Sequence, residues 1–273
     1  MTKMTENTYK TEYGVIHYRI RYADQGKPWL VMLPGLTADH HLFDKQIEGL
    51  GDKYNCFVWD APAHGASRPF KLQFSMFDMA QYLHDILKKE EIEKPVLIGQ
   101  SLSGYIAQVY MDMFPDGVSG FVSIDSCPLK RNYYTGVELA LLKRTKGMYL
   151  CIPWKLLIKW GAWGTARTES GRRLMKETME AYEKVEYCEL ADHGYRILAE
   201  AVEAGRSYDI TCPTLLLCGE KDGAGSAKSY NRRWTKQEGY ELIWLKEAGH
   251  NSNTDVPEKV NKIIDEFVVQ IFK

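Results

Sequence analysis

The chain is 273 residues long, with 45% hydrophobic and 26% charged residues and a formal net charge of −1. That length suits one α/β domain carrying an insertion, with a core large enough to need neither disulfides nor a metal. The near-neutral charge and absence of a long basic run argue against nucleic-acid binding, and no apolar run of about 18 residues is available to span a membrane.

The N-terminal MTKMTENTYK has no apolar core and no small-residue cleavage pattern, so no signal peptide is expected. Six cysteines are scattered without CxxC or Cys/His ligand spacing. Reduced structural thiols, no metal and a cytoplasmic location are therefore expected.

In chain order, 8–12 and 15–22 turn at Gly14 and read as a hairpin. Trp29–Leu33 is a buried run ending at Pro34-Gly35, followed by helical spacing of Phe43, Ile47 and Leu50 before Gly51. A strand over 56–59 precedes a helix opened by Ser75 with Asp78 at capping-box spacing and an apolar stripe of Met76, Met79, Leu83 and Leu87. A strand over 95–99, a helix from Leu102 stopped by Pro115, and a strand over 120–124 come next. Strands at 214–218 and 242–245 and a final helix capped by Asp255-Val-Pro-Glu258 close the chain. Alternating strands and helices predict a mostly parallel sheet covered by helices.

Between about 128 and 207 the strand pattern vanishes and helix-like segments rich in aromatics and charges replace it. This predicts a helical cap, 128–207, inserted into a core domain made of 1–127 and 208–273.

The central chemical signal is Val96-Leu-Ile-Gly-Gln-Ser-Leu-Ser-Gly104, where Gly99, Ser101 and Ser103 give G-x-S-x-S. It is close to the G-x-S-x-G nucleophile elbow, and it sits where an apolar strand meets a helix. The bland alternative is a βα turn with a helix-capping serine. A serine needs a base. Of seven histidines, His250 follows the last strand, where a parallel sheet presents its site residues. His64 suits a structural turn, while His40 and His41, near the oxyanion loop in sequence, are candidates to reach substrate. The base needs an orienting carboxylate, and Asp222 follows the 214–218 strand. Asp125, at the end of the 120–124 strand, is the alternative acid. The backbone N–H groups of Leu36 and Leu102 are candidate oxyanion donors.

The collinear set Leu33-Pro-Gly35, Asp60…His64-Gly65…Ser67, Gly99-Gln-Ser-Leu-Ser103, Gly219-Glu-Lys-Asp222 and Gly249-His250 resembles the cap-bearing α/β-hydrolase superfamily. The resemblance runs from about Val15 to Phe272, outside most of the insertion. It implies an α/β-hydrolase fold, with an eight-stranded, mostly parallel sheet and the cap after the sixth strand. It also implies a Ser101–His250–Asp222 triad that needs no cofactor. Two positions depart from the usual pattern: Ser103 replaces glycine, and Pro34 stands where many members carry histidine. Serine at the elbow argues against members that alkylate an aspartate, such as haloalkane dehalogenases and epoxide hydrolases.

The expected activity is hydrolysis of a small ester, lactone or related acyl substrate through an acyl-enzyme. Carbon–carbon bond hydrolysis with the same triad is the alternative, as are acyl transfer to an alcohol and a non-catalytic receptor that kept the fold. Tyr133, Trp154, Trp160 and Trp163 are expected in the pocket wall, beside further aromatics such as Tyr134 and Tyr149. The expected partner is a small molecule, with no membrane and no nucleic acid, for a monomer or homodimer.

Overall fold

The computed structural model describes residues 4–273. β1 (Thr5–Lys10) and β2 (Val15–Arg21) pair antiparallel. Their turn is held by Thr11, whose Oγ1 accepts the Gly14 N–H at 3.1 Å, so the first strand lies earlier than 8–12. β3 (Trp29–Leu33) is followed by α1 (Asp44–Leu50) and β4 (Asn55–Asp60). α2 (Met76–Lys89) begins with the expected capping box between Ser75 and Asp78. β5 (Val96–Gln100), α3 (Leu102–Met113) and β6 (Gly120–Ile124) complete the first half.

A wholly helical stretch separates β6 from the next strand. It contains α4 (Gly136–Leu142), α5 (Thr145–Cys151), α6 (Trp154–Thr165), α7 (Glu169–Glu180) and α8 (Lys184–Glu203). The chain returns through β7 (Thr214–Gly219), α9 (Ala227–Glu238), β8 (Glu241–Leu245), the short α10 (Ser252–Asp255) and α11 (Pro257–Ile271).

The eight strands form one sheet in the order β1-β2-β4-β3-β5-β6-β7-β8. Pairing is antiparallel at β1–β2 and β2–β4 and parallel from β4 to β8. Every residue of β4, β5 and β6 is buried, because helices cover both sheet faces and leave no polar side for alternation. One apolar layer packs α2 and α3 on the sheet, and the other packs α1 and α11 on the opposite face. β3 lies between β4 and β5, so the chain steps from β3 to β4 on one side and then crosses back past β3 to β5 on the other. Such a reversal opens a crevice beyond the carboxyl ends of the strands. The turns after β3 and β5 meet there.

Asp255 does not cap the last helix. The residue before α11 is Val256, Pro257 opens the helix, and no side chain caps its first turn. Proline removes one of the N–H groups a cap would serve. The Asp255 carboxylate instead accepts from Thr168 N at 2.8 Å, Arg167 N at 2.9 Å and Gly249 N at 2.8 Å, joining the α6–α7 turn to the loop after β8. Among the described residues, no helix is long and apolar enough to cross a membrane.

Candidate active site

Ser101 stands between β5 and α3 with φ +50° and ψ −120°, a costly backbone conformation for a residue bearing a Cβ. Three hydrogen bonds hold it. Its N–H donates to Ile124 O at 2.9 Å, and its carbonyl accepts from Gly104 N at 3.0 Å and Ser126 Oγ at 2.6 Å. The turn closes because Gly99 has no side chain: a Cβ there would lie 2.7 Å from the Gly104 backbone.

His250 Nε2 lies 2.8 Å from Ser101 Oγ, and His250 Nδ1 lies 3.0 Å from Asp222 Oδ2. The other Asp222 oxygen accepts the Ala224 N–H at 2.7 Å, which fixes the carboxylate. Burial by itself would depress the His250 pKa. The hydrogen bond to Asp222 and the charges of Asp222 and Asp125 outweigh it, so the ring sits above its ordinary value.

Asp125 is buried beside this group, yet its oxygens are taken elsewhere, by Gly219 N at 2.7 Å and Ser252 N at 3.0 Å. Of the two candidate acids, Asp222 is therefore the one bonded to the histidine. Burial lifts Asp125 to about 7, and the neighbouring Asp222 charge adds to the rise, while the His250 charge and both N–H bonds oppose it. Among the described residues, one trio has potential metal-ligand atoms within 4.8 Å of one another: Asp125, Cys218 and Asp222. Its four carboxylate oxygens already meet three backbone N–H groups and the imidazole. That set serves the protein's own donors.

Leu36 and Leu102 flank Ser101 in the same cavity. Neither N–H has an acceptor among the described residues, as an oxyanion site requires. Two devices seat the Leu36 turn. Ser103 Oγ donates to the carbonyl of Pro34, so the two positions that depart from the family pattern are bonded to each other. Gly194 of α8 leaves room for Leu36, whose Cδ1 would lie 2.3 Å from a Cβ at that position.

The cavity has two lobes that share Leu36, Ser101, Tyr195, Ala224 and His250. The larger, about 380 Å3, is walled by Tyr105, Tyr134, Leu142, Leu198 and Tyr230. The smaller, about 130 Å3, is walled by Tyr149, Met175, Met179, Tyr187 and Asn251. One face of α8, with Tyr187, Ala191, Tyr195 and Leu198 at helical spacing, runs across both.

The expected wall of Tyr133, Trp154, Trp160 and Trp163 is not observed. Trp160 and Trp163 are each 54% exposed, and the Arg172 guanidinium covers the Trp163 ring at 3.7 Å. Trp154 packs on the Tyr187 ring at 5.3 Å within the helical stretch. Tyr133 is buried away from both lobes, with Arg233 over its ring at 5.2 Å. Their helices turn these faces outward or toward one another. His40 and His41 also stay outside the lobes: His40 bonds Asp60 at 2.9 Å and the exposed His41 bonds Asp44 at 2.8 Å. His64 is a turn residue, bonded to Pro62 O at 2.9 Å and held down to about 4 by burial.

Gln100, Ser126 and Asp255 support the site in roles that no sequence pattern assigns them. Gln100 Nε2 donates to His250 O at 3.0 Å and to Asn251 Oδ1 at 3.2 Å, tying the strand before the serine to the histidine loop.

A family model described as "alpha/beta hydrolase fold" matches residues 28–142. A hydrolase from Pseudomonas aeruginosa PA01 superposes with a TM-score of 0.82 over 96% of this chain and 98% of its own, at 18% identity. The chain has the α/β-hydrolase fold. A thermophilic esterase from Thermogutta terrifontis, at 20% identity, superposes with a TM-score of 0.71 over 99% of this chain and all of its own. Among curated sequences, human epoxide hydrolase 4 is 26% identical across 93% of this chain and 76% of its own length. Further curated relatives are matched over less than half of their length.

Proposed function

We propose that the protein is a serine hydrolase that cleaves a small carboxylic ester or lactone through an acyl-enzyme. The observation that carries this reading is the continuous chain Ser101 Oγ–His250–Asp222, at 2.8 and 3.0 Å, opening into a cavity. His250 takes the Ser101 proton as Oγ attacks the carbonyl carbon, and Asp222 stabilises the imidazolium. The N–H groups of Leu36 and Leu102 receive the developing oxyanion. Collapse of that intermediate breaks the bond to the alcohol oxygen, which leaves with the proton from His250. Water, deprotonated by His250, then attacks the acyl-enzyme and frees the acid and Ser101.

Helices α4–α8 act as the cap: Tyr134, just before them, and Tyr149, Met179 and Tyr195 within them close the cavity over the serine. The similarity to an esterase supports the ester reading. The human relative's name raises epoxide opening, but here the elbow presents Ser101, not an aspartate that an epoxide would alkylate.

Ser101→Ala is expected to abolish both ester turnover and labelling by a fluorophosphonate probe. Labelling that persists in the folded variant refutes the assignment.

A further inference from the structure

Hydrolysis by Ser101 leaves open which esters enter, and the charges and ring faces of the larger lobe narrow the choice. Ser101 and His250 line this lobe together with Glu138 and the exposed Leu141, so it extends from the catalytic group to the protein surface. No lysine or arginine lines it. Two carboxylates do: the buried Asp125 and, on α4, the half-buried Glu138.

Glu138 is held in its charged form. Its Oε2 accepts from Thr135 N and Thr135 Oγ1, each at 2.7 Å, and its Oε1 accepts from the Tyr230 hydroxyl at 2.7 Å. The Thr135 N–H bond first, then the two hydroxyl bonds, keep its pKa below the ordinary value. The Arg233 guanidinium adds to this, but it donates to the carbonyls of Tyr133 at 3.1 Å and Asn132 at 3.5 Å and lines neither lobe. With most of its lone pairs engaged, Glu138 offers a ligand charge rather than further hydrogen bonds.

The remaining groups of the lobe favour a cation over an anion. Tyr134 donates to Pro128 O at 2.7 Å, so the 3.0 Å contact with Tyr105 consumes the Tyr105 hydrogen. Ser126 Oγ donates to Ser101 O at 2.6 Å. Apart from Ser101 itself, the lining hydroxyls left with a hydrogen to give are those of Tyr195, where the lobes meet, and of the exposed Ser226. Tyr105, Tyr134 and Tyr230 are buried in one wall, with the Tyr134 and Tyr230 rings 5.0 Å apart. Aromatic faces attract cations. A quaternary ammonium ion has no N–H to satisfy and asks only for ring faces and a nearby negative charge.

Resting on the serine-hydrolase reading, we infer that the substrate is an ester with one arm ending in a quaternary ammonium group, seated among the tyrosine rings beside the Glu138 carboxylate while the carbonyl lies at Ser101. Glu138 is thus a specificity residue, apart from the proton-transfer chain.

The test uses the full chain and pairs of esters that differ in one atom, the quaternary nitrogen or a carbon in its place. Butyrylcholine and neohexyl butyrate carry the group on the alcohol arm. The methyl ester of γ-butyrobetaine and its all-carbon analogue carry it on the acyl arm. Each kcat/KM is divided by the rate of alkaline hydrolysis, so intrinsic ester reactivity cancels. In one orientation the wild type is expected to favour the cationic member. Glu138→Gln still completes the capping box with Thr135 and should cut that preference about three- to tenfold. Because the preference is read within each variant, a difference in the folded fraction cancels too.

A wild type that favours the neutral member in both orientations, or a preference unchanged in Glu138→Gln, overturns the inference. Fluorophosphonate labelling without turnover of any of these esters overturns it while leaving Ser101 as the nucleophile. Absence of labelling overturns the hydrolase reading as well.

Discussion

Removing the hydroxyl of Ser103 tests how this chain holds its oxyanion turn. Ser103 is 1% exposed, and its Oγ donates to the carbonyl of Pro34, which is buried too. That carbonyl belongs to the Pro34–Gly35 peptide, so the bond orients the plane next to the one that carries the Leu36 N–H. The turn rests directly on the elbow: a Cβ on Gly35 would lie 2.3 Å from Gln100 Oε1 and 3.0 Å from Ser101 Cβ. Ser103→Ala leaves the Pro34 carbonyl buried without its donor, which costs about 1–3 kcal/mol. Complete loss of an oxyanion donor lowers kcat by about 10²–10³. Here the donor is displaced, and about 1–2 kcal/mol reaching the transition state lowers kcat about 5- to 30-fold. KM should stay within about twofold, because ground-state contacts lie in the lobes. The assay is steady-state turnover of a neutral ester, with the unfolding midpoint measured on the same preparation. A lower midpoint with unchanged kcat would show that the bond supports the fold alone, refuting its role in the turn.

Two further outcomes follow from the charges and the loop around His250. Activity requires the neutral ring, so kcat/KM should fall as pH drops through the His250 pKa, which lies above the ordinary 6.5. Asp125→Asn removes one of the negative charges that raise it and should move that acidic limb to lower pH; a limb that stays in place shows that the charge does not act on the ring. Asp255→Asn turns an amide toward the N–H groups of Arg167, Thr168 or Gly249 and should lower unfolding stability by at least about 2 kcal/mol in urea titration. An unchanged midpoint would show that Asp255 holds nothing in place.

The elements that place the serine were readable because their signals are local. β5 is a fully buried run, apolar until Gln100, Gly99 permits the tight approach, and the helix starts at Leu102, directly after the serine. The cavity wall was not, because it depends on which helix face turns inward. Trp160 and Trp163 draw attention by size yet face solvent. The α8 stripe from Tyr187 to Leu198 has plain helical spacing, but spacing alone does not say what the stripe covers. Asp255 before Val-Pro reads as a helix cap from composition; only the approach of the α6–α7 turn shows where its oxygens go. Ser103 and Pro34 each looked like a separate lapse from a pattern. They are 69 positions apart and form one bond, a relation that no local window contains.

The two acids at neighbouring strand ends make the same point about chemistry. Asp125 directly follows β6 and Asp222 follows β7, and these strands pair in parallel, so both carboxylates arrive beside His250. Proximity does not separate their roles; hydrogen-bond capacity does. Asp125 gives one oxygen to Gly219 and the other to Ser252, binding the end of β7 to the residues just after the histidine. Asp222 gives one to Ala224 and keeps the other for the imidazole. Asp125 therefore acts on the ring through its charge and through the loop it holds, and Asp222 through direct contact. Neutralising Asp125 should shift the pH at which the histidine works, whereas neutralising Asp222 removes the partner that orients it.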